Sequence, residues 1–132
     1  MSLINGGRKK WELEGRELVT DVPHFNPTTY HAAEPDFSIR AYAHDVRATI
    51  GAPGHALVDV RSPAEYTGQV IAPPGMSETA QRAGHVPGAA NVPWAQAANE
   101  DGSFKSAEEL SALYGGKGVT PDHDVIAYCR IG

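Results

Sequence analysis

The feature that most constrains the fold is a strand that passes directly into a helix. Residues 56–60 (Ala-Leu-Val-Asp-Val) form a short, mostly apolar run, which is typical of a strand buried on both faces of a parallel sheet. Ser62 and Glu65 then have the spacing of a helix-capping box, with Pro63 at the first helical position. This order of elements predicts an α/β domain.

A second apolar run, residues 124–128, has the same character, and Cys129 follows it directly. Between the two runs, residues 90–93 are expected to form a short strand. In open α/β sheets, ligands bind beyond the carboxyl ends of the strands. We therefore expect Cys129 to lie at the ligand-binding edge of the sheet.

Helices are predicted beside these strands. Ser106 opens a second capping box, and the helix that it starts is expected to end at Gly115. Ser38 is the expected N-cap of another helix, whose apolar residues recur at i+4 spacing until Gly51. The predicted fold of residues 38–132 is therefore a parallel sheet flanked by helices.

The segment before this unit has a different character. Residues 8–14 have helical composition and end at Gly15, while Leu3 and Ile4 are expected to end a strand. Three prolines and the lack of a sustained period between positions 20 and 37 indicate an extended linker. The predicted organisation has three parts, namely a short N-terminal piece, a linker and a main unit: residues 1–20, 21–37 and 38–132.

Charge and hydropathy exclude two classes of partner. The 132 residues include 11 basic and 16 acidic side chains, which gives a net charge of -5. The longest basic cluster, residues 8–10, is too short to follow a phosphate backbone, so no nucleic acid is expected as a partner. No apolar run approaches the roughly 20 residues that span a bilayer. We therefore expect no membrane partner and a cytoplasmic location.

A single cysteine allows no disulfide within the chain, so Cys129 is either an inert core residue or a working thiol. At the carboxyl end of a parallel strand, inward-pointing backbone N–H groups favour a thiolate and would hold a persulfide anion. Arg130 would add positive charge there or bind an anionic donor. Cysteines at strand ends are also often only packing residues, and position alone leaves both interpretations open.

Other polar residues were weighed for the same site. Arg61 follows Asp59 at a strand end, and it either lines the site or pairs with Asp59 to hold neighbouring loops. We favour the second hypothesis, because such support is common at strand ends. His85 is expected to brace a turn rather than to transfer protons. The six histidines lack metal-ligand spacing, so no metal is expected.

Three segments resemble the rhodanese family. Residues 59–66 (Asp-Val-Arg-Ser-Pro-Ala-Glu-Tyr) resemble its first strand-to-helix segment, and residues 84–93 (Gly-His-Val-Pro-Gly-Ala-Ala-Asn-Val-Pro) resemble its G-H-I-P-G-A-x-x-x-P motif. Residues 128–132 (Tyr-Cys-Arg-Ile-Gly) resemble the start of the active-site loop of thiosulfate sulfurtransferases, in which Arg follows Cys. The resemblance implies a rhodanese-like fold and a reaction without a cofactor.

Residues 3–11 are similar to the last strand, glycine turn and helix of a rhodanese domain. The resemblance therefore implies a tandem enzyme, in which residues 1–20 are the tail of a preceding domain and residues 38–132 are the second, catalytic domain. Family members continue past the Cys-Arg pair through the rest of the loop, a helix, a strand and a final helix. We therefore expect a chain truncated in its active-site loop, with the C-terminal part of the domain missing, and not fully active at this length.

By this resemblance, Cys129 carries sulfane sulfur as a persulfide between thiosulfate and cyanide or a thiol acceptor. One departure is Glu65, which stands where some two-domain members have a substrate-binding arginine. Four residues are expected to bind the donor: Arg130, Ile131, Gly132 and Arg61.

Alternative functions stay open. One is a non-catalytic rhodanese module for binding or sulfur carriage, and another is a 3-mercaptopyruvate sulfurtransferase, although the loops of those enzymes usually begin Cys-Gly. A cysteine phosphatase of related fold is a third, but such enzymes usually have His where this chain has Tyr128. Self-association of the chain is also expected, with residues 3–15 of one copy docking on another.

Overall fold

The structure, a computed structural model, describes residues 2–77 and 79–130. Within these residues, three parallel strands form a sheet in the order β2-β1-β3. The strands are β1 (His55–Asp59), β2 (Ala90–Asn91) and β3 (Asp124–Tyr128). The predicted α/β class, with a parallel sheet flanked by helices, is confirmed.

Four α-helices are present in the described part of the chain, and a single 3-10 helix at Trp94–Ala97 follows β2. They are α1 (Gly7–Leu13), α2 (Ala43–Thr49), α3 (Pro63–Tyr66) and α4 (Ala107–Gly115). Both predicted capping boxes form, at the starts of α3 and α4. Among these helices, none has the length and apolar character that crossing a bilayer would require.

The register of the sheet brings the ends of its strands together. Asp59, the last residue of β1, lies opposite Asn91 of β2 on one side and Tyr128 of β3 on the other. Because all three strands run in the same direction, the residues that follow them emerge at one edge. Cys129 is therefore placed beside the turn that leads from β1 into α3.

The core lies between the sheet and α4. Val58 and Val92 are 2% and 0% exposed, and they pack with Val119. Leu113 and Tyr114 of α4 lie against this cluster. The C-terminal half of α4 therefore covers the face of β1 that carries Val58.

β3 is less buried than its composition predicts. Val125 is 48% exposed, and among the described strands β3 pairs only with β1. An apolar run predicts a strand that is covered on both faces. It does not show whether the described residues contain the elements that would cover those faces. The expectation that β3 is buried on both faces is wrong for this structure.

The predicted start of α2 at Ser38 is also wrong. The carboxylate of Asp36 accepts hydrogen bonds from the backbone N–H of Ser38 (2.9 Å) and from its hydroxyl (2.6 Å). This local turn competes with helix capping, and Ile39 is 88% exposed. The helix begins four residues later than predicted, at Ala43, where Asp45 accepts a hydrogen bond from the backbone N–H of Tyr42 (2.8 Å).

The N-terminal piece contacts the main unit through the turn at residues 99–104. Asn5 accepts a hydrogen bond from the backbone N–H of Phe104 (2.8 Å), and Lys10 pairs with Asp101 (3.2 Å). The predicted helix is present as α1, whereas Leu3 and Ile4 are exposed and not in a strand. Residues 16–37 contain neither helix nor strand, and the division into a domain tail, a linker and a catalytic domain stays a prediction.

We predict that Val92→Ala lowers the free energy of unfolding by about 1–3 kcal/mol, because it removes two buried methyl groups and leaves a cavity. Urea denaturation measures the change. Val125→Ala, at an exposed position of β3, is the matched control and should change stability much less. Equal losses in the two variants would mean that the core is not centred on Val58 and Val92.

Candidate active site

Cys129 is half-buried and lies directly after β3. The residue before it is tied to the chain beyond β1, because the backbone N–H of Val60 donates a hydrogen bond to the carbonyl of Tyr128 (3.1 Å). The pairing of β1 with β3 therefore continues up to the cysteine. This position matches the predicted edge of the sheet.

A buried ion pair occupies the end of β1. Asp59 is 0% exposed and Arg61 is 5% exposed. Arg61 donates from Nε to Oδ1 (3.0 Å) and from Nη2 to Oδ2 (2.6 Å), and its backbone N–H also donates to Oδ1 (2.9 Å). Nη2 donates a further bond to the carbonyl of Gly84 (2.7 Å). The pair thus connects the β1–α3 turn with the segment that leads into β2.

Both members of this pair are held in their charged forms. Burial alone would raise the pKa of Asp59, but the hydrogen bonds and the positive charge of Arg61 outweigh it and lower the pKa below its usual value. The hydrogen bond to Asp59 in turn raises the pKa of Arg61. A bidentate pair of this kind is stronger than a neutral hydrogen bond.

The turn from β1 into α3 is braced from β2. Asn91 donates from its side-chain amide to the carbonyls of Asp59 (3.1 Å) and Arg61 (3.0 Å). The hydroxyl of Tyr66 donates to the carbonyl of Ala89 (2.8 Å). These bonds hold the β1–α3 turn and α3 against β2 and the residue before it.

The chain leaves α3 and returns toward β2 at nearly the same point. Gly68 has a φ of 79°, and a Cβ atom there would lie 3.1 Å from the backbone nitrogen of Gly84. Only glycine fits such a left-handed conformation at a close approach. The two ends of the segment between these glycines therefore meet at the site.

His85 lies over Tyr66, with ring centroids 3.7 Å apart, and its Nδ1 is 2.8 Å from the carbonyl of Tyr66. These are the contacts of the bracing role that the sequence analysis favoured for His85. Arg61 likewise has the loop-holding contacts expected of it, through Asp59 and Gly84.

Tyr128 closes the site from the β3 side. Its hydroxyl accepts a hydrogen bond from the backbone N–H of Val86 (3.0 Å), and the centroid of its ring lies 5.9 Å from Cζ of Arg61. Burial, with the nearby charge of Asp59, raises the pKa of Tyr128 to about 12. The phenol is therefore neutral at physiological pH and supports the residue that precedes the cysteine.

A second buried ion pair joins α3 to the residue after the cysteine. Nη1 of Arg130 donates to Oε1 of Glu65 (3.0 Å), and their side chains are 14% and 2% exposed. Oε2 of the same carboxylate accepts from the hydroxyl of Ser62 (2.7 Å) and from its backbone N–H (3.1 Å). Burial would raise the pKa of Glu65, but the bonds from Ser62 and then Arg130 lower it overall.

The structure brings three of the five predicted site residues to one edge of the sheet, namely Cys129, Arg130 and Arg61. Ile131 and Gly132 lie outside the described residues. Sequence analysis missed the part played by Tyr128, and it treated Glu65 as a departure rather than as a partner of Arg130. In the described ranges, no group of three His, Cys, Asp or Glu side chains is placed to hold a metal ion.

We predict that Arg61→Met lowers the free energy of unfolding by about 3–5 kcal/mol, because it leaves the carboxylate of Asp59 buried without its partner. Arg8→Met is the matched control, since it breaks the exposed pair between Arg8 and Glu12, and it should cost at most about 1 kcal/mol. Urea denaturation of both variants tests this. Similar losses would show that burial of the Asp59 pair has little energetic importance.

The lowered pKa values of Asp59 and Glu65 predict a loss of stability in acid. A carboxyl whose pKa is lower in the folded state stabilises the protein fully above its unfolded pKa, and this stabilisation is lost as the pH falls through the folded value. We expect the free energy of unfolding to decrease below about pH 4, and less steeply in Glu65→Gln than in the wild type. Urea denaturation curves between neutral and acid pH measure the free energy of unfolding. If it falls with pH as steeply in Glu65→Gln as in the wild type, the prediction is contradicted. Glu12→Gln, at an exposed position, is the control.

Comparison with known proteins supports the interpretation of the fold. Residues 42–132 match the family model described as "Rhodanese-like domain". The chain is 56% identical over 133 residues to the "Putative thiosulfate sulfurtransferase" of Saccharopolyspora erythraea, covering 100% of this chain and 47% of that protein. It is 54% identical to the "Sulfur carrier protein TtuD" of Thermus thermophilus, with coverage of 98% and 47%. The chain thus spans about half the length of these curated relatives.

Among solved structures, the fold is similar to that of the anaerobic ergothioneine biosynthesis enzyme from Chlorobium limicola. The TM-score is 0.77 at 24% identity, over 96% of this chain and 31% of that one. At this identity the likeness concerns the fold alone. The segment matched by the family model contains all three strands, α3 and Cys129, and the chain therefore belongs to the rhodanese-like domain family.

Proposed function

We propose that this chain transfers sulfane sulfur from thiosulfate to an acceptor through a persulfide on Cys129. The observation that carries the proposal is the bracing of Cys129 on both sides. Tyr128, before it, is bonded to Val60 and Val86, and Arg130, after it, is bonded to Glu65. A cysteine that is only a packing residue does not need a backbone held so closely on both sides.

The first step is a displacement at sulfur. The thiolate of Cys129 attacks the outer sulfur of thiosulfate, a new S–S bond forms, and the bond between the two thiosulfate sulfurs breaks. Sulfite leaves with the electron pair of that bond, and Cys129 becomes a persulfide. Its location at the carboxyl edge of the sheet is where ligands bind in open α/β folds.

The second step returns the enzyme to its starting state. The acceptor, which is cyanide or a thiolate, attacks the terminal sulfur of the persulfide, and the thiolate of Cys129 leaves. Two displacements thereby replace one difficult transfer, which is the general logic of covalent catalysis. The chemistry needs no cofactor, because each step exchanges one bond to the transferred sulfur for another and takes no electrons from outside.

Donor binding by Arg61, Arg130, Ile131 and Gly132 stays a prediction from the sequence. The two guanidinium groups bring positive charge to this edge of the sheet, but each is paired with a buried carboxylate. Direct contact of either group with thiosulfate would require the pair to open or the guanidinium to use a remaining N–H. A cytoplasmic location is likewise a prediction.

Two alternatives differ from this proposal, one in the acceptor of the sulfur and the other in its donor. The relative named as a sulfur carrier favours a module that receives a persulfide and hands it to a protein. A 3-mercaptopyruvate sulfurtransferase would use the same cysteine with a different donor. Rates with thiosulfate and with 3-mercaptopyruvate distinguish the donors, and turnover with cyanide distinguishes an enzyme from a carrier.

The test is Cys129→Ser in the full-length protein that contains this chain. We expect sulfur transfer from thiosulfate to cyanide to fall to the uncatalysed rate, because a hydroxyl cannot form the persulfide. In the wild type, mass spectrometry after thiosulfate treatment should find one added sulfur atom on the peptide that contains Cys129. Transfer that survives in Cys129→Ser, or added sulfur on another residue, would refute the assignment.

A further inference from the structure

We propose that Glu65 and Arg130 act as one positioning unit, in which Glu65 holds Arg130 against α3 and thereby sets the position of Cys129. In contrast to the expectation from the sequence, Arg130 then does not serve as a free ligand for the donor. The inference rests on the sulfur-transfer function proposed above, and it deepens that proposal by naming the residues that place its cysteine.

Helix capping does not account for the burial of Glu65. The chain contains the same capping box twice, and Glu109 at the start of α4 bonds to Ser106 as Glu65 bonds to Ser62. Glu109 is exposed and pairs with Lys105, its neighbour four residues away. Glu65, in contrast, is 2% exposed. Something beyond the helix start therefore requires a carboxylate at position 65.

The two oxygens of Glu65 have separate partners. Oε2 accepts both bonds from Ser62 and completes the cap, whereas Oε1 accepts the bond from Nη1 of Arg130 (3.0 Å). This second contact spans 65 residues of sequence and joins α3 to the segment after β3. Since the cap uses one oxygen, the other is available to hold Arg130.

The contact with Glu65 also orients the guanidinium of Arg130. Among the described residues, Nε of Arg130 is buried and has no hydrogen-bond partner, and its side chain is only 14% exposed. A group meant to catch a dissolved anion would be expected to present its N–H donors to solvent. Arg130 instead turns toward α3, and its own backbone is thereby fixed next to Cys129.

Cys129 thus lies between two anchors. On one side, Tyr128 is bonded to Val60 and Val86. On the other side, Arg130 is bonded to Glu65. Loss of the contact between Arg130 and Glu65 would leave the backbone after Cys129 without this support, while the pairing of β3 with β1 stays in place.

The effects of charge-removing substitutions distinguish a positioning role of Arg130 from donor binding. If the two side chains acted as independent charges, Glu65→Gln would favour the thiolate of Cys129 and Arg130→Gln would disfavour it, so the two variants would have opposite effects. Freeing Arg130 would also improve its binding of an anionic donor. If the side chains act as one unit, either substitution breaks the same contact and has the same effect.

The experiment uses the full-length protein with Glu65→Gln, Arg130→Gln and the double variant. Alkylation of Cys129 by iodoacetamide, an uncharged reagent, is followed as a function of pH, together with kcat and KM for thiosulfate. We expect both single variants to move the pH midpoint of alkylation in the same direction, because either substitution breaks the same contact and displaces the same sulfur. We expect kcat to fall roughly 10- to 100-fold, KM to change little, and the double variant to be no worse than the singles.

Opposite shifts of the alkylation midpoint, or a KM that rises in Arg130→Gln and falls in Glu65→Gln, would overturn the proposal. Unchanged alkylation and kcat in both variants would also overturn it. Glu109→Gln removes the carboxylate of the matching box in α4 and should leave alkylation and kcat as in the wild type. If Glu65→Gln does not fold, Arg130→Gln alone tests the proposal: a lower kcat with little change in KM supports it, and a raised KM with unchanged kcat contradicts it.

The alkylation measurement does not depend on sulfur transfer. If the wild type transfers no sulfur but both variants shift the alkylation midpoint together, the proposed function fails and the positioning unit stands. If the wild type transfers sulfur and the variants shift in opposite directions, the function stands and the positioning unit fails.

Discussion

The ion pair between Asp59 and Arg61 is the interaction on which the site depends. A carboxylate that is fully buried at the end of a central strand is costly unless strong hydrogen bonds replace its water. Arg61 supplies four of them from three donor groups, one of which is its backbone N–H. The same guanidinium reaches Gly84, and the carbonyls on either side of the turn are taken up by Asn91. The ion pair and the amide of Asn91 together join β1, β2 and the segment between them.

Around this pair, the site consists of side chains that support backbone rather than side chains that point at a ligand. Tyr128 and Arg130 are bonded to parts of the chain that follow β1, so the cysteine takes its position from the β1–α3 turn and from the segment that leads into β2. This arrangement fits the sulfur transfer proposed above, in which the covalent bonds form and break at sulfur. In that proposed reaction the protein has mainly to hold one sulfur in place.

The sequence predicted structure best where the contacts that determine an element join residues close together in the chain. Ser62 and Ser106 each predicted a helix start, because a capping box involves residues three apart. Ser38 predicted a start that does not exist, since Asp36 two residues earlier takes its hydrogen bonds. The contact between Glu65 and Arg130 could not be predicted, because two boxes with the same Ser and Glu spacing have carboxylates of opposite burial and only the fold decides which one meets a distant arginine. The exposure of Val125 depends in the same way on neighbours that lie far away in sequence.

The close approach of Gly68 and Gly84 has a consequence for how proteins with this fold can diversify. A segment whose two ends already touch adds little entropic cost when it lengthens, because the cost of loop closure rises only slowly with length. Insertions or deletions between these glycines would therefore leave the strand ends and the cysteine where they are. Such a loop can change in length and in side chains while Cys129 keeps its place at the edge of the sheet.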